Sequence, residues 1–238
     1  MKFSSPLKRG RLIKRYKRFL ADIELADGQI VTASCPNTGS MMGLCSPGSA
    51  VWVSESDSPT RKYRHTWELV ENDLGKGMAL VGINTGHPNK IVAEAIAANR
   101  IGKLKGYASL KREQKYGKAS RIDILLEDEG KGRAYVEIKN VHLMRQPGLA
   151  EFPDSVTARG VKHLEELGDM AEDGHRAVMM FLVQRSDATR MKPAGDIDPT
   201  YAEALTRASG RGVEVLAYRC EISPEEIWLS KSIPVKIS

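Results

Sequence analysis

Two β-branched, apolar runs on either side of a short turn segment predict a β-hairpin in the second half of this chain. The first run covers residues 121–127, the second covers residues 134–140, and the turn between them contains Gly130. If the hairpin turns about Gly130, Asp123 lies directly opposite Glu137 on the neighbouring strand. Two opposed carboxylates repel each other unless a cation lies between them. This pair is therefore the first candidate for a functional site.

The lysine that follows the second carboxylate strengthens this interpretation. Lys139 lies two residues after Glu137 and so projects from the same face of the strand. An Asp on one strand and Glu-x-Lys on the next is the arrangement of Mg²⁺-dependent nucleases of the PD-(D/E)XK type. There the carboxylates hold Mg²⁺ or Mn²⁺, and the lysine positions or activates the attacking water. We therefore predict Asp123, Glu137 and Lys139 as catalytic residues, the first two as metal ligands.

The carboxylate pair alone does not separate a nuclease site from two further arrangements. Exposed carboxylates also occur on ordinary solvated sheet faces, where they have no catalytic role. Opposed carboxylates about 5 Å apart also serve retaining glycosidases. The adjacent lysine and the basic N-terminus described below favour a phosphodiester substrate.

Composition excludes several classes of protein. The chain has 238 residues, of which 41% are hydrophobic, as in ordinary globular domains. No apolar run is long enough to span a membrane, and the N-terminus leads into charged residues. The three cysteines lack Cys-x-x-Cys spacing, which argues against a zinc finger. We expect a cytoplasmic protein without a membrane partner.

Positive charge is concentrated at the N-terminus. The chain has a net charge of +6, and residues 1–21 contain no Asp or Glu. Tyr16 and Phe19 lie among the cations, and such a combination suits phosphate contact with base stacking. A solvated strand or helix face has the same pattern and stays the alternative. The predicted DNA contacts in this segment are Lys8, Arg9, Arg11, Lys14, Arg15, Lys17 and Arg18.

The first 85 residues have the pattern of a small β-barrel. Residues 20–26 and 29–35 alternate on either side of the turn Asp27-Gly28, which predicts a hairpin. Extended segments follow at residues 50–54 and 61–71. Five short strands with basic and aromatic edges predict an OB-like domain over residues 1–85, although an SH3-like barrel has a similar pattern.

Residues 86–238 alternate between helical and extended patterns. The order of the first elements is αβββαβ, which is the core topology of PD-(D/E)XK nucleases, and the fold class is therefore mixed α+β. The predicted elements are a helix over 88–101, a strand over 107–115, the hairpin, a helix from Thr157 to about Ala171, a strand over 176–184, a helix over 201–209 and a strand over 212–219.

The helix that begins after Thr157 carries a second group of predicted DNA contacts. Its apolar stripe contains Leu164 and Gly168, and the polar side chains are placed on the opposite face. From that face we predict phosphate contacts by Arg159, Lys162 and His163.

Several short motifs resemble those of the sugar fermentation stimulation protein A family, and they extend over nearly the whole chain. They are Cys35-Pro-Asn-Thr-Gly39, Arg61-Lys62, Tyr116-Gly117 with Ser120-Arg-Ile-Asp123, Glu137-Ile-Lys-Asn-Val141, Phe152-Pro-Asp154, Arg159-Gly160, Lys162-His-Leu164 and Ile197-Asp198-Pro199. The chain departs from the family pattern at Ile138, where Val is more common, and at His142, where Thr is more common.

The resemblance implies an N-terminal OB-like domain, a PD-(D/E)XK nuclease-like domain, DNA binding and a role in regulating the use of sugars, maltose in particular. It also assigns Glu94, on the first predicted helix, to the metal site. Two functions are consistent with these implications. One is a Mg²⁺-dependent deoxyribonuclease, and the other is a DNA-binding transcriptional regulator that keeps the nuclease fold without its chemistry.

Overall fold

The computed structural model describes residues 1–117 and 120–237. The strands of its N-terminal part are β1 (Lys8–Tyr16), β2 (Leu20–Leu25), β3 (Ile30–Ser34), β4 (Ala50–Glu55), β5 (His65–Asp73) and β6 (Met78–Gly82). They form a sheet with the strand order β3-β2-β1-β4-β5-β6. Strand β3 pairs with β5 as well as with β2, which closes β1 to β5 into a barrel and confirms the predicted OB-like architecture.

The N-terminal basic segment is a strand of this barrel and not a helix. Strand β1 pairs with β2 on one side and with β4 on the other. Leu12 is buried opposite Ile23, whereas most of the basic side chains of β1 are exposed. Pairing on both edges satisfies the backbone hydrogen bonds of β1 within the barrel.

The elements of the second part are α1 (Pro88–Ala97), a short 3-10 helix (Gly102–Leu104), β7 (Ser109–Tyr116), β8 (Ser120–Asp128), β9 (Gly132–Val141), β10 (Leu143–Gln146), β11 (Leu149–Phe152), α2 (Ala158–Glu172), β12 (Arg176–Val183), β13 (Arg190–Pro193), α3 (Pro199–Gly210), β14 (Glu214–Ile222) and β15 (Ile227–Ser232). The main sheet has the strand order β15-β14-β12-β9-β8-β7, and a smaller sheet has the order β10-β11-β13. The helices and the strands of the main sheet begin in the predicted αβββαβ order, with β10 and β11 of the smaller sheet inserted before α2.

Helices cover both faces of the main sheet. Ile91 of α1 packs in one apolar cluster with Ile124 and Val136, whereas Leu164 of α2 and Leu205 of α3 pack in the cluster on the other face. Strand β12 is buried on both faces and parallel to both of its neighbours, β9 and β14, as its continuous apolar run predicts. No helix in the described ranges is both long and apolar enough to cross a membrane.

The structure differs from the sequence-based prediction in several places, and it contains two strands that were not predicted, β6 and β15. Helix α1 ends at Ala97 instead of Ile101, because Asn99 adopts a left-handed backbone with a φ of 56°. The sequence patterns also did not predict the small sheet. Its strands are four residues long, and β11 pairs in parallel with β13, about forty residues later in the chain, so the pairing leaves little local signal.

Candidate active site

The hairpin of β8 and β9 has the register that the sequence predicts. Pairing runs from Asp128 and Gly132 at the turn to Ile124 and Val136. One step further along, Asp123 is no longer part of the ladder, and its Oδ2 accepts the backbone N–H of Ile138 at 2.7 Å. The strands therefore diverge at Asp123, which places its carboxylate beside the next part of β9.

Glu137 and Lys139 project from one face of β9, and they are in direct contact. The Lys139 Nζ donates to Glu137 Oε1 at 2.7 Å, and both side chains are largely buried. Burial raises the pKa of Asp123, and the negative charge of Glu137 raises it further. Burial alone would also raise the pKa of Glu137, but hydrogen bonds from His163 and Lys139 and the charge of Lys139 lower it overall. The surroundings therefore favour the anionic form of Glu137 and disfavour the anionic form of Asp123.

His163 of α2 is the second partner of Glu137. Its Nδ1 contacts Glu137 Oε1, and its Nε2 lies 3.2 Å from Arg159 Nε. An arginine Nε–H can only donate, so Nε2 of His163 is the acceptor, and this assigns its ring proton to Nδ1. The imidazole thus links Arg159 to the carboxylate of Glu137.

This geometry leaves little of His163 exposed for the predicted contact with DNA, which stays a prediction. Its side chain is only 6% exposed, and protein groups engage both of its ring nitrogens. Glu166, which the helical wheel placed on the same polar face, is buried as well. Helix α2 packs on the face of the sheet that carries Glu137, so part of its polar face turns inward to meet that carboxylate. Arg159 and Lys162 stay exposed.

Helix α1 supplies Asn89 to the site, a residue that the sequence patterns did not indicate. Its Nδ2 donates to Asp123 Oδ1 at 2.8 Å and also lies 3.2 Å from Glu113 Oε1 on β7. The only sequence feature that could have drawn attention to Asn89 is its position just after Pro88, in the first turn of a predicted helix. Nothing in the local spacing connects Asn89 with Asp123, since 34 residues separate them.

The structure does not bring Glu94 to the carboxylate pair. Glu94 lies 2.9 Å from the amino group of Met1 and 4.0 Å from Lys90 Nζ, in a separate surface depression. It follows Asn89 by five residues, which corresponds to about 140° around a helix. When Asn89 faces Asp123, Glu94 therefore points elsewhere, and the metal role that the resemblance implies for Glu94 has no geometric support here.

The carboxylates line a cavity of about 440 Å³. Glu137 Oε2 is buried there without a hydrogen-bond partner among the described residues. Such an orphaned anionic oxygen is costly unless a cation or a donor reaches it. Within residues 1–117 and 120–237, no three His, Cys, Asp or Glu side chains are arranged to hold a metal ion by themselves. A cation between Asp123 and Glu137 would complete its shell with water or substrate oxygens, which is common for Mg²⁺.

The barrel contributes a wall of the same cavity. Residues 37–39, between β3 and β4, line it opposite the hairpin. Ser40 Oγ donates to the backbone oxygen of Asp154 at 2.7 Å, and the backbone N–H of Met41 donates to Asp154 Oδ2 at 3.0 Å. Burial would raise the pKa of Asp154, but its hydrogen bond to His142 and the charge there, together with those two donors, lower that pKa to about 2. Asp154 therefore fastens the barrel loop to the second part of the chain.

Gly39 leaves no room for a side chain beside Asp154, and we expect Gly39→Ala to destabilise the protein. A Cβ at this position would overlap the Asp154 carboxylate, which is held by several donors and cannot easily move. The expected loss is about 1–3 kcal/mol in the free energy of unfolding, measured by urea denaturation. Gly102→Ala is the control, because a Cβ there meets no atom within 4 Å. Equal losses of unfolding free energy in Gly39→Ala and Gly102→Ala would contradict the overlap of a Cβ at residue 39 with Asp154.

Part of the N-terminal basic group is engaged by the barrel itself. Arg15 Nη2 donates to the backbone oxygens of Asn37 and Gly39, each at 2.9 Å, and Arg18 Nε donates to that of Thr38 at 2.8 Å. These two arginines therefore fix the loop at the cavity. The other paired cations are Lys8 with Glu55, Arg9 with Glu71, and Lys14 with Asp22.

Arg11 and Lys17 are two exposed cations of the predicted group, one on β1 and one just after it. They differ from Arg15, whose guanidinium is bound to four backbone carbonyls. The sequence gives no sign of this difference, because all of these residues lie in one continuous basic run.

Comparison with known proteins identifies the family. Residues 13–83 match the family model described as "SfsA N-terminal OB domain", and residues 86–226 match "Sugar fermentation stimulation protein RE domain". The chain belongs to the sugar fermentation stimulation protein family. This confirms the resemblance seen in the sequence motifs.

The similarity to other family members covers nearly the full length of the chain. It is 58% identical over 236 residues to the sugar fermentation stimulation protein homolog of Brucella anthropi, covering 99% of this chain and 100% of the relative. The homolog of Rhizobium meliloti is 60% identical over 227 residues, covering 95% of this chain and 93% of the relative. The solved structure of Pyrococcus furiosus SfsA in complex with Ca²⁺ is 31% identical, has a TM-score of 0.87, and covers 99% of this chain and 98% of that chain.

Proposed function

We propose that this family member is a divalent-metal-dependent nuclease that acts on DNA. The observation that carries the proposal is one cavity that contains Asp123, Glu137 and Lys139, with Glu137 Oε2 buried and unpartnered among the described residues. A carboxylate oxygen in this situation suits a hard cation better than any group of the protein around it. The proposal assigns the metal to Asp123 and Glu137 and leaves Glu94 out.

Mg²⁺ or Mn²⁺ is the cation we propose. The relative from Pyrococcus furiosus was solved with Ca²⁺, which shares with Mg²⁺ a preference for oxygen ligands. The donors available from the chain are carboxylate oxygens of Asp123 and Glu137. When bound, the cation would supply an activated water and would neutralise charge on the phosphate.

The surrounding residues would hold these donors in place. Lys139 and His163 both engage Oε1 of Glu137, which leaves Oε2 directed away from them, and Asn89 anchors Oδ1 of Asp123. Lys139 has a second task in this proposal, because its ammonium can orient the attacking water or stabilise charge that develops on the phosphate. Fixed groups of this kind need little rearrangement during the reaction.

We propose that the barrel contributes to DNA binding through the exposed cations Arg11 and Lys17. Contacts of this type go to phosphates and are therefore independent of sequence and sensitive to salt. Arg15 and Arg18 would act indirectly, by fixing the loop at residues 37–40 beside the cavity. The family name connects these proteins with sugar fermentation. We propose that this chain affects the use of sugars by binding DNA. The motif resemblance implies that maltose is the sugar concerned.

The second candidate function is a DNA-binding regulator without catalysis. Two observations favour it: among the described residues no three metal-ligating side chains converge, and two partners already occupy Oε1 of Glu137. In such a protein Lys139 and His163 would simply satisfy a buried carboxylate. This regulator would bind DNA with or without Mg²⁺ and would leave it intact.

Incubation of the purified protein with supercoiled plasmid, linear duplex and single-stranded DNA separates the two candidates. We expect strand breaks with Mg²⁺ or Mn²⁺, none with EDTA, and none with Asp123→Asn. Glu94→Gln is the matched control, since it removes a carboxylate of the same domain outside the cavity, and it should cleave as the unmodified protein does. Intact DNA in every condition, together with retained binding, would support the regulator.

A further inference from the structure

A second, smaller cavity lies next to the carboxylate cavity. It has a volume of about 410 Å³ and shares Arg159 and His163 with its neighbour. Its lining residues are Glu113, Ser120, Arg121, Arg159, Lys162 and His163. A strand of nucleic acid that occupies one cavity can therefore extend directly into the other.

The lining is strongly positive. Arg121 of β8 and both Arg159 and Lys162 of α2 are exposed cations, against the single carboxylate of Glu113. Asn89, which donates to that carboxylate, already ties Glu113 to the first cavity. The 3.7 Å contact of Lys162 with Glu166 leaves the lysine half exposed. The second cavity thus presents three cations to solvent, a suitable environment for an anion.

Arg159 is oriented before any ligand arrives. Its Nε is committed to His163 Nε2 at 3.2 Å, and within the described residues no acceptor pairs with its two terminal nitrogens. The planar guanidinium is therefore fixed at one edge and free at the other. An arginine held in this way can donate two parallel hydrogen bonds to a phosphate.

We propose that this second cavity binds a phosphate group of the nucleic-acid strand, adjacent to the phosphodiester that lies at Asp123 and Glu137. The inference rests on the proposed function, and it adds Arg121 to the DNA-contacting residues. His163 takes the role of a positioning residue, which links the carboxylate of the first cavity to the guanidinium of the second. The phosphate can be an internal phosphodiester or the terminal phosphate of a nicked or cleaved strand.

Metal-free binding measurements test this inference independently of cleavage. We would measure fluorescence anisotropy in EDTA with a 3′-labelled duplex, once with a 5′-hydroxyl and once with a 5′-phosphate, over a range of salt concentrations. The variants are Arg121→Gln and Lys162→Gln, and the control is Arg100→Gln, an exposed cation of another depression. Melting temperatures would show that each variant is folded.

Each cavity variant is expected to weaken binding by roughly five- to tenfold and to reduce the slope of log K against log salt by about 0.9, while Arg100→Gln changes neither. If 5′-phosphorylation strengthens binding by the unmodified protein but not by the variants, the ligand is a terminal phosphate. If phosphorylation has no effect while the slopes still fall, the ligand is an internal phosphodiester.

Cavity variants that bind with the affinity and slope of the control would overturn the inference and leave the proposed function intact. An unmodified protein that binds no DNA would overturn both. If the unmodified protein does not cleave DNA but the cavity variants show the expected loss of affinity, only the nuclease proposal is overturned.

Discussion

Replacement of Lys139 by Met is expected to lower DNA cleavage by a factor on the order of 10² or more, with DNA affinity nearly unchanged. The ammonium is largely buried beside Glu137, within the carboxylate cavity. It therefore contributes little to ground-state contact with DNA and most to the charge that forms during the reaction. Single-turnover cleavage and equilibrium binding, measured on the same duplex, separate the two contributions.

Lys90→Met is the control for this experiment, because Lys90 is an exposed cation of α1 that lies near Glu94. It should cleave at the original rate. The non-catalytic alternative makes the opposite forecast, in which the unmodified protein leaves DNA intact and Lys139→Met alters affinity alone. Such a result would rule out the enzyme and leave a DNA-binding protein with a nuclease-like fold.

Addition of Mg²⁺ or Mn²⁺ is expected to stabilise the folded protein, and Asp123→Asn is expected to abolish that effect. A cation that binds the folded carboxylate pair and not the unfolded chain raises stability by mass action, by about 2.7 kcal/mol at a concentration one hundred times the dissociation constant. Burial and, after it, the negative charge of Glu137 raise the pKa of Asp123, and a bound cation would offset both effects. Thermal unfolding with increasing metal concentration measures the change.

Glu94→Gln again provides the comparison. It removes one carboxylate, as Asp123→Asn does, but from a site beside the amino group of Met1. This variant should keep the full response to metal. If Asp123→Asn is stabilised by the metal as much as the unmodified protein is, the cation does not bind at the hairpin. If Glu94→Gln is not stabilised, Glu94 is a ligand of the metal.

The cavity lies between the two parts of the chain, so the barrel forms part of it. Its loop at residues 37–40 forms a wall of the cavity, and Asp154 holds that loop through Ser40 and Met41. His142 contacts Asp154 Oδ2 at 3.2 Å. In this chain a histidine thus supports the contact between the barrel loop and the carboxylate cavity.

The main features of the fold and part of the candidate site were predictable from local patterns. A hairpin has a side-chain period of two, so the register about Gly130 followed from the two apolar runs and the turn between them, and the structure has that register. The same period placed Lys139 beside Glu137. The alternating strands of the barrel and the αβββαβ order were likewise visible, because each element carries its own hydrophobic pattern.

The sequence by itself determined which strands carry the carboxylates, which residues are charged, and to which family the chain belongs. Only the tertiary structure decided what each charge does. Arg15 binds the loop while Arg11 is exposed, and His163 turns inward to Glu137. Asn89 takes the place beside Asp123 that the motif resemblance gave to Glu94. These outcomes depend on contacts between elements far apart in the chain, where burial and the need to pair polar groups select one partner among many, and no local period records that selection.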